Sequence, residues 1–128
     1  MKNKINIAIV GLGQIGSYLL NELTIRKKNI KLLTGKDINI VAISAKNKNK
    51  KRKFKINKKI FYKNPLRIID KNKIDILFEC IGLSDGISKK VVEKALKNCI
   101  HVITPNKALI SKHGDYLSNI AELSLIHI

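Results

Sequence analysis

Three glycines at the spacing G-x-G-x-x-G stand near the start of the chain, within Val10–Gly16. Gly11 permits a tight turn, Gly13 lets the backbone approach a pyrophosphate without an intervening Cβ, and Gly16 lets a helix pack closely on a strand. The helix amino terminus offers N–H groups and its positive dipole end to phosphates. The spacing predicts that a dinucleotide's pyrophosphate is bound at this glycine loop. The alternative is a glycine-rich turn that binds nothing.

Residues after the second predicted strand bear on which dinucleotide is bound. A domain selective for NAD usually has Asp or Glu there, to bind the ribose 2′-hydroxyl. Here Ser44-Ala45-Lys46 ends the strand, and no carboxylate follows until Asp70. Ser44 and Lys46 suit a 2′-phosphate, which favours NADPH and leaves NADH as the alternative. Further positive field is predicted from Lys50, Lys51 and Arg52, unless this basic run is simply solvated.

A polar stretch, Thr104-Pro105-Asn106-Lys107, interrupts the apolar pattern late in the chain. It follows a predicted strand, and sheets of this kind bind ligands at the carboxyl ends of their strands. Pro105 lacks a backbone N–H and fixes φ where the strand must stop. Lys107 brings a positive charge to that place, so we expect it to contact cofactor or substrate rather than only solvent.

The other chemically capable side chains are interpreted as structural. Cys80 and Cys99 belong to no C-x-x-C pair and lie in apolar surroundings, which predicts buried thiols in a reducing compartment. For Glu79, near a strand end, a structural role is favoured over ligand contact. His113 is interpreted as a turn residue beside Gly114. No spacing of His, Cys or carboxylates predicts a metal site.

Strands alternating with helices must position these residues. Strands are predicted at 5–10, 38–44, 74–81 and 101–104, with a short extended piece at 60–62. Helices are predicted at 14–26, 65–70, 88–98 and 107–122. A polar connection is predicted at 27–36, a helix N-cap at Ser84 or Asp85, and a break near His113. Most strands are apolar on both faces, which predicts an α/β fold with a doubly wound parallel sheet and helices on both faces.

Length and composition indicate one soluble domain. The 128 residues are 45% apolar, enough for a core, and the first apolar run is too short for a signal peptide or a membrane span. The location is therefore predicted to be cytoplasmic. The net charge of +17 would fit a nucleic-acid partner, but the basic residues are scattered and not interleaved with aromatic side chains. We therefore predict neither a nucleic-acid nor a membrane partner.

Four segments in the same order carry a resemblance to a known family. They are Val10–Ser17, Val41–Lys46, Asp75–Gly82 and His101–Gly114. With them the chain resembles the nucleotide-binding half of homoserine dehydrogenase over about residues 5–122. The last segment, HVITPNKALISKHG, is the most specific, since Thr-x-Asn-Lys-Ala-Leu followed by Lys-His-Gly is far rarer than the glycine motif. The family commonly has Ala at the position of Pro105.

The resemblance implies a Rossmann-type domain that binds NAD(P)H in an oligomeric enzyme. That enzyme interconverts L-aspartate 4-semialdehyde and L-homoserine on the route to threonine and methionine. Carried over by position, the pyrophosphate contacts would be Gly11, Leu12, Gly13, Gln14, Ile15 and Gly16. Ser44 and Lys46 would lie at the adenosine ribose, and Ile81 and Gly82 along the cofactor. Thr104, Pro105 and Lys107 would lie near the nicotinamide and its ribose. The family's catalytic lysine, acidic substrate residues and cation site lie in a second domain beyond residue 128.

Three alternatives stay open. The chain could belong to another NAD(P)-dependent semialdehyde or amino-acid dehydrogenase, to a dinucleotide-sensing module without catalysis, or to a basic nucleic-acid binder. Within the chain we expect residues 1–122 to form the dinucleotide-binding domain. The apolar residues 123–128 follow a helix without a turn, and we expect that they are not native.

Overall fold

The computed structural model describes residues 3–46, 57–124 and 126–127. These residues form five strands and five α-helices. The strands are β1 (Lys4–Val10), β2 (Asp37–Ser44), β3 (Phe61–Tyr62), β4 (Ile76–Glu79) and β5 (His101–Ile103). The helices are α1 (Gln14–Ile25), α2 (Lys27–Thr34), α3 (Pro65–Lys71), α4 (Ile87–Lys97) and α5 (Lys107–Leu123), and a 3-10 turn, Lys58–Ile60, precedes β3. Their order along the chain is β1, α1, α2, β2, β3, α3, β4, α4, β5, α5.

The five strands form one parallel sheet in the order β3-β2-β1-β4-β5. Because β2 lies on one side of β1 and β4 on the other, the chain changes direction across the sheet between these strands. Val10 is in register with both Ser44 and Glu79, so the carboxyl ends of β1, β2 and β4 are level. Such a reversal opens a crevice at the strand ends. The predicted doubly wound parallel sheet is confirmed.

The sheet is covered on both faces by apolar side chains. Along β1, Ala8 and Val10 pack with Leu77 and Leu96 in one cluster, which also takes apolar residues from α3, α4 and α5. The other cluster contains Ile7, Ile9, Leu20, Ile38 and Ile43. Since neighbouring side chains of a strand point to opposite faces, a strand buried on both sides must be apolar throughout. This is why β1 is apolar without interruption over its buried residues, Ile7 to Val10.

The polar connection predicted at 27–36 is wrong, since Lys27–Thr34 forms helix α2. Ile30 packs against the second apolar cluster, and the Gly35 N–H donates to the Lys31 carbonyl at 2.8 Å. Gly35 has φ +74°, the left-handed conformation that commonly ends a helix. Thr34-Gly35 is therefore a helix C-terminus, and the polar composition of the segment concealed the one partly buried side chain, Ile30, that packs on the core.

Two further details of the predicted helices are corrected. Helix α5 runs through His113 and Gly114 without a break, because Leu109 and Leu117 on either side are fully buried and anchor it to the core. Neither Ser84 nor Asp85 caps α4; the N-cap residue is Gly86.

Beyond α5, residues 126–127 lie beside β5. Ile126 packs against the first apolar cluster, and the Val102 N–H donates to the His127 carbonyl at 3.0 Å. The rings of His101 and His127 stack with their centroids 5.6 Å apart. In the part of the chain that the structure describes, no helix has the length and apolar character needed to cross a membrane.

Candidate dinucleotide-binding site

The loop after β1 has a backbone that requires glycine at two positions. Gly11 has φ +92°, and a Cβ there would lie 2.7 Å from the Cys80 carbonyl carbon. A Cβ on Gly16 would lie 1.8 Å from the Gly11 carbonyl oxygen, so helix α1 could not approach the loop with a larger residue. The Gly11 N–H donates to the Ser44 carbonyl at 2.8 Å, which ties the loop to the end of β2.

Gly13 is in different surroundings. A Cβ built on it meets nothing within 4 Å, so the space above this residue is open. Gly13 is the N-cap residue of α1. Because glycine has no side chain, the cap residue offers no acceptor to the N–H groups of the first turn. An open backbone at a helix amino terminus is the arrangement that binds phosphate in proteins. The space above Gly13 is therefore suited to a pyrophosphate.

A cleft of about 1000 Å³ lies at the carboxyl ends of the strands. Six of the predicted cofactor contacts line this cleft: Gly11, Leu12, Gly13, Ser44, Lys46 and Ile81. Gln14, Ile15, Gly16, Gly82, Thr104, Pro105 and Lys107 do not line it, and their contacts with a cofactor stay predictions. Lys50, Lys51 and Arg52 fall outside the described residues.

The cleft has a second wall that the sequence analysis missed. It consists of Ala45, Lys63, Asn64, Pro65, Leu66, Cys80, Leu83, Ile87 and Lys90. Asn64 is the N-cap of α3, its Oδ1 accepting from the Leu66 N–H at 3.0 Å, and Pro65 occupies the first turn. The sequence signals for these caps are clear. They do not indicate that the starts of α3 and α4 face the glycine loop.

Three exposed lysines, Lys46, Lys63 and Lys90, contribute to the cleft. None of the described residues that line it is acidic. Ser44 at the end of β2 is 2% exposed, with its backbone carbonyl bonded to the glycine loop. The cleft thus combines an apolar lining with positive charge at its opening, which favours a ligand with an apolar ring system and several anionic groups.

Cys80 and Cys99 differ from the predicted pair of buried thiols. Cys99 is exposed and lies between α4 and β5 with φ +59°, because the chain must turn sharply there. Cys80 is half-buried and lines the cleft; burial, and to a smaller extent the charge of Glu79, raise its pKa to about 11. A thiol with so high a pKa is protonated at neutral pH and is a poor nucleophile.

The stretch at the end of β5 is held by hydrogen bonds rather than left in solvent. The Thr104 hydroxyl donates to Glu79 Oε1 at 2.7 Å, and Asn106 is buried and caps α5 by accepting from the Leu109 N–H at 3.0 Å. Pro105 and Lys107 are exposed. The polar residues that appeared to break the strand therefore anchor the loop and start a helix. The structural role favoured for Glu79 agrees with these contacts.

His113 lies within helix α5 and not in a turn, and its side chain contacts Asp85. Its Nε2 lies 2.7 Å from Asp85 Oδ1, and Lys112 Nζ donates to the other oxygen of the same carboxylate. Asp85 thereby connects the loop before α4 to α5. Among the described residues, no group of three or more His, Cys, Asp or Glu side chains is arranged to hold a metal ion.

Comparison with known proteins identifies the family of the chain. Residues 11–128 match the family described as "Homoserine dehydrogenase, NAD binding domain". Homoserine dehydrogenase of Neisseria gonorrhoeae is 30% identical over 118 residues, which are 92% of this chain and 27% of that protein. The chain spans about a quarter of the length of the curated relatives it matches.

Solved structures show the same fold. The crystal structure of Staphylococcus aureus homoserine dehydrogenase at pH 7.5 matches with a TM-score of 0.88 and 32% identity, over 97% of this chain and 32% of that one. A hyperthermophilic archaeal homoserine dehydrogenase mutant in complex with NADPH matches with a TM-score of 0.71 at 19% identity, over 98% of this chain and 43% of that one. The chain belongs to the homoserine dehydrogenase family and carries its NAD-binding domain.

Proposed function

We propose that this chain is the NADP(H)-binding part of an enzyme that interconverts L-aspartate 4-semialdehyde and L-homoserine, on the route to threonine and methionine. The observation that carries the proposal is the cleft at the level ends of β1, β2 and β4, formed by the glycine loop. Family membership supports the substrate pair. A cytoplasmic location and homo-oligomeric assembly of the full-length enzyme belong to the same proposal.

In this proposal the chain's residues bind and orient the cofactor, which supplies the hydride chemistry when bound. Gly11 and Gly13 contact the pyrophosphate, helped by the amino terminus of α1. Ile81 and Gly82 lie along the cofactor at the end of β4. Thr104, Pro105 and Lys107 are at the nicotinamide end.

The preference for NADPH over NADH is supported by charge. A 2′-phosphate carries close to two negative charges at neutral pH. The end of β2 offers Lys46 and the polar Ser44, and the described lining of the cleft contains no carboxylate to repel the phosphate. Lys63 and Lys90 strengthen the positive field at the opening of the same cleft.

Replacing Lys46 tests the cofactor preference. We expect Lys46→Ala to weaken NADPH binding roughly ten- to 150-fold, since a charge-assisted bond contributes about 1.5–3 kcal/mol, and to leave NADH binding unchanged. Isothermal titration calorimetry with both dinucleotides measures this. Lys4→Ala, an exposed lysine at the start of β1 and so at the other end of the sheet, is the control. Equal binding of NADPH and NADH by the unaltered chain would contradict the preference.

Turnover tests the division of labour between domains. The resemblance places the catalytic lysine and the acidic substrate residues beyond residue 128. We therefore expect the purified chain to bind NADPH weakly and to reduce no aspartate semialdehyde, as followed by absorbance of the reduced nicotinamide. Measurable turnover by residues 1–128 would contradict this part of the proposal. The downstream coding sequence decides directly whether the expected second domain follows.

A further inference from the structure

Glu79, the last residue of β4, has a fully buried carboxylate on which two loops meet. Its Oε2 accepts hydrogen bonds from the backbone N–H groups of Ile81 at 2.8 Å and Gly82 at 3.1 Å. Its Oε1 accepts from the Thr104 hydroxyl at 2.7 Å and from Asn106 Nδ2 at 3.2 Å. Two of the donors follow β4 and the other two follow β5.

The donors leave little freedom for another side chain at position 79. Backbone N–H groups only donate. The amide of Asn106 has a fixed orientation, because its Nδ2 also donates to the Leu83 carbonyl at 2.7 Å and its Oδ1 accepts from the Leu109 N–H at 3.0 Å. The Thr104 hydroxyl oxygen accepts from the Asn106 N–H at 3.0 Å and directs its own hydrogen to Glu79.

A site with four donors requires a group that only accepts. An ionised carboxylate has two acceptor oxygens and no hydrogen, whereas a carboxamide would turn two donor hydrogens toward other donors. A buried carboxylate is stable only where hydrogen bonds replace its lost hydration. The geometry therefore fixes Glu79 as an anion, and a glutamine of the same shape would leave one pair of donors without an acceptor.

Glu79 holds two loops that the proposed function assigns to the cofactor, the loop after β4 along its length and the loop after β5 at its nicotinamide end. Ile81 lines the cleft, and Gly82 has φ +90°. Thr104 leads directly into Pro105 and Lys107. The residues proposed for the adenosine end, Ser44 and Lys46, follow β2, which lies across β1 from β4.

We propose that ionised Glu79 is a positioning residue that holds the loops after β4 and β5 in the arrangement that receives the nicotinamide half of the cofactor. It contacts neither cofactor nor substrate and acts through the backbone of Ile81 and Gly82 and through Thr104. The inference rests on the proposed function, because it takes from it which end of the cofactor these loops face.

The test compares a whole cofactor with its adenosine end in Glu79→Gln. NADPH and adenosine 2′,5′-bisphosphate, which lacks the nicotinamide half, are titrated calorimetrically into the 128-residue chain. We expect Glu79→Gln to weaken NADPH binding about tenfold or more, and binding of the bisphosphate by less than twofold. Glu122→Gln, on the exposed surface of α5, makes the same change of charge and should alter neither affinity.

The outcomes separate the two proposals. If the unaltered chain binds neither ligand, the proposed function fails. If it binds both and Glu79→Gln binds them unchanged, or loses both by the same factor, Glu79 has no role specific to the nicotinamide half and the inference fails.

A milder pair of variants covers the case in which Glu79→Gln does not fold. Thr104→Val keeps the shape of the side chain but removes one donor to the carboxylate and the acceptor of the Asn106 N–H, whereas Thr104→Ser keeps both. We expect Thr104→Val to weaken NADPH binding with little effect on the bisphosphate, and Thr104→Ser to bind NADPH as tightly as the unaltered chain. Equal NADPH affinity in the two variants would overturn the inference.

Discussion

Gly13 and Gly16 stand three residues apart in the loop after β1, but their surroundings differ. Above Gly13 there is open space, while a Cβ on Gly16 would overlap the carbonyl oxygen of Gly11. The glycine at 16 is therefore required by the fold itself. The glycine at 13 is not required by any protein atom within 4 Å, and we propose that the close approach of a ligand is the reason for its lack of a side chain.

Alanine at each position separates these two requirements. Gly16→Ala should lower the free energy of unfolding by about 2–3 kcal/mol, since the overlap outweighs the ~1 kcal/mol that alanine normally gains in a helix. Gly13→Ala should lower it by less, about 0.5–1 kcal/mol, because glycine is preferred over alanine at an N-cap, yet weaken NADPH binding at least tenfold. Urea unfolding and calorimetry measure the two effects. A Gly13→Ala chain that binds NADPH normally would refute the ligand-based explanation.

At the scale of elements, Asp85 ties the loop before α4 to helix α5. Hydrogen bonds from Lys112 first, and from His113 second, lower the pKa of the Asp85 carboxyl from 3.8 to about 2. The same loop contributes Leu83 to the cleft, and the following helix contributes Ile87. The contact thus holds one wall of the cleft against a helix on the outside of the sheet.

This contact should make a small pH-dependent contribution to stability. Because the pKa of Asp85 is lower in the folded state, the contribution is complete above about pH 3.8 and is lost as the pH falls toward about 2. Asp85→Asn should therefore lose less thermal stability than the unaltered chain between pH 5 and pH 2, as followed by circular dichroism. Asp115→Asn, at an exposed position of α5, makes the same change of charge and should behave like the unaltered chain. If thermal stability falls with pH in parallel for all three chains, the contact of Asp85 with Lys112 and His113 makes no such contribution.

At the scale of the whole molecule, the charge of +17 on 128 residues is the dominant feature. Like charges repel one another in a compact chain and oppose folding. The same field attracts anionic ligands to the cleft, where Lys46, Lys63 and Lys90 are found. Stability and dinucleotide affinity should therefore respond to salt in opposite directions.

Sodium chloride should raise the melting temperature while it weakens NADPH binding. Between 0.01 M and 0.15 M salt the screening length falls from about 30 Å to about 8 Å, which removes most long-range repulsion. NADPH should lose more affinity than NADH over this range, because it carries the additional phosphate. Scanning calorimetry and ligand titration at both salt concentrations test this. A melting temperature that falls with added chloride would show that repulsion does not limit stability.

Much of the fold could be predicted because its signals are local. The apolar run of β1 and the glycine spacing after it involve residues close together in the chain, and both are found as expected. Helix α2 was missed because its composition is mostly polar and one residue, Ile30, provides its contact with the core. The cap of α4 was misplaced because Asp85, a good capping residue, is bound instead by side chains of α5.

What the sequence by itself determined is the alternation of strands and helices, the glycine loop and the family motifs. These depend on residue type and short spacing, which a single chain displays directly. Only the tertiary structure decided that β1 lies between β2 and β4, that Lys63 and Lys90 join Lys46 at one cleft, and that Thr104 and Asn106 donate to a buried Glu79. These arrangements bring together residues 17 to 69 positions apart, and they depend on the order and register of the strands rather than on any local pattern.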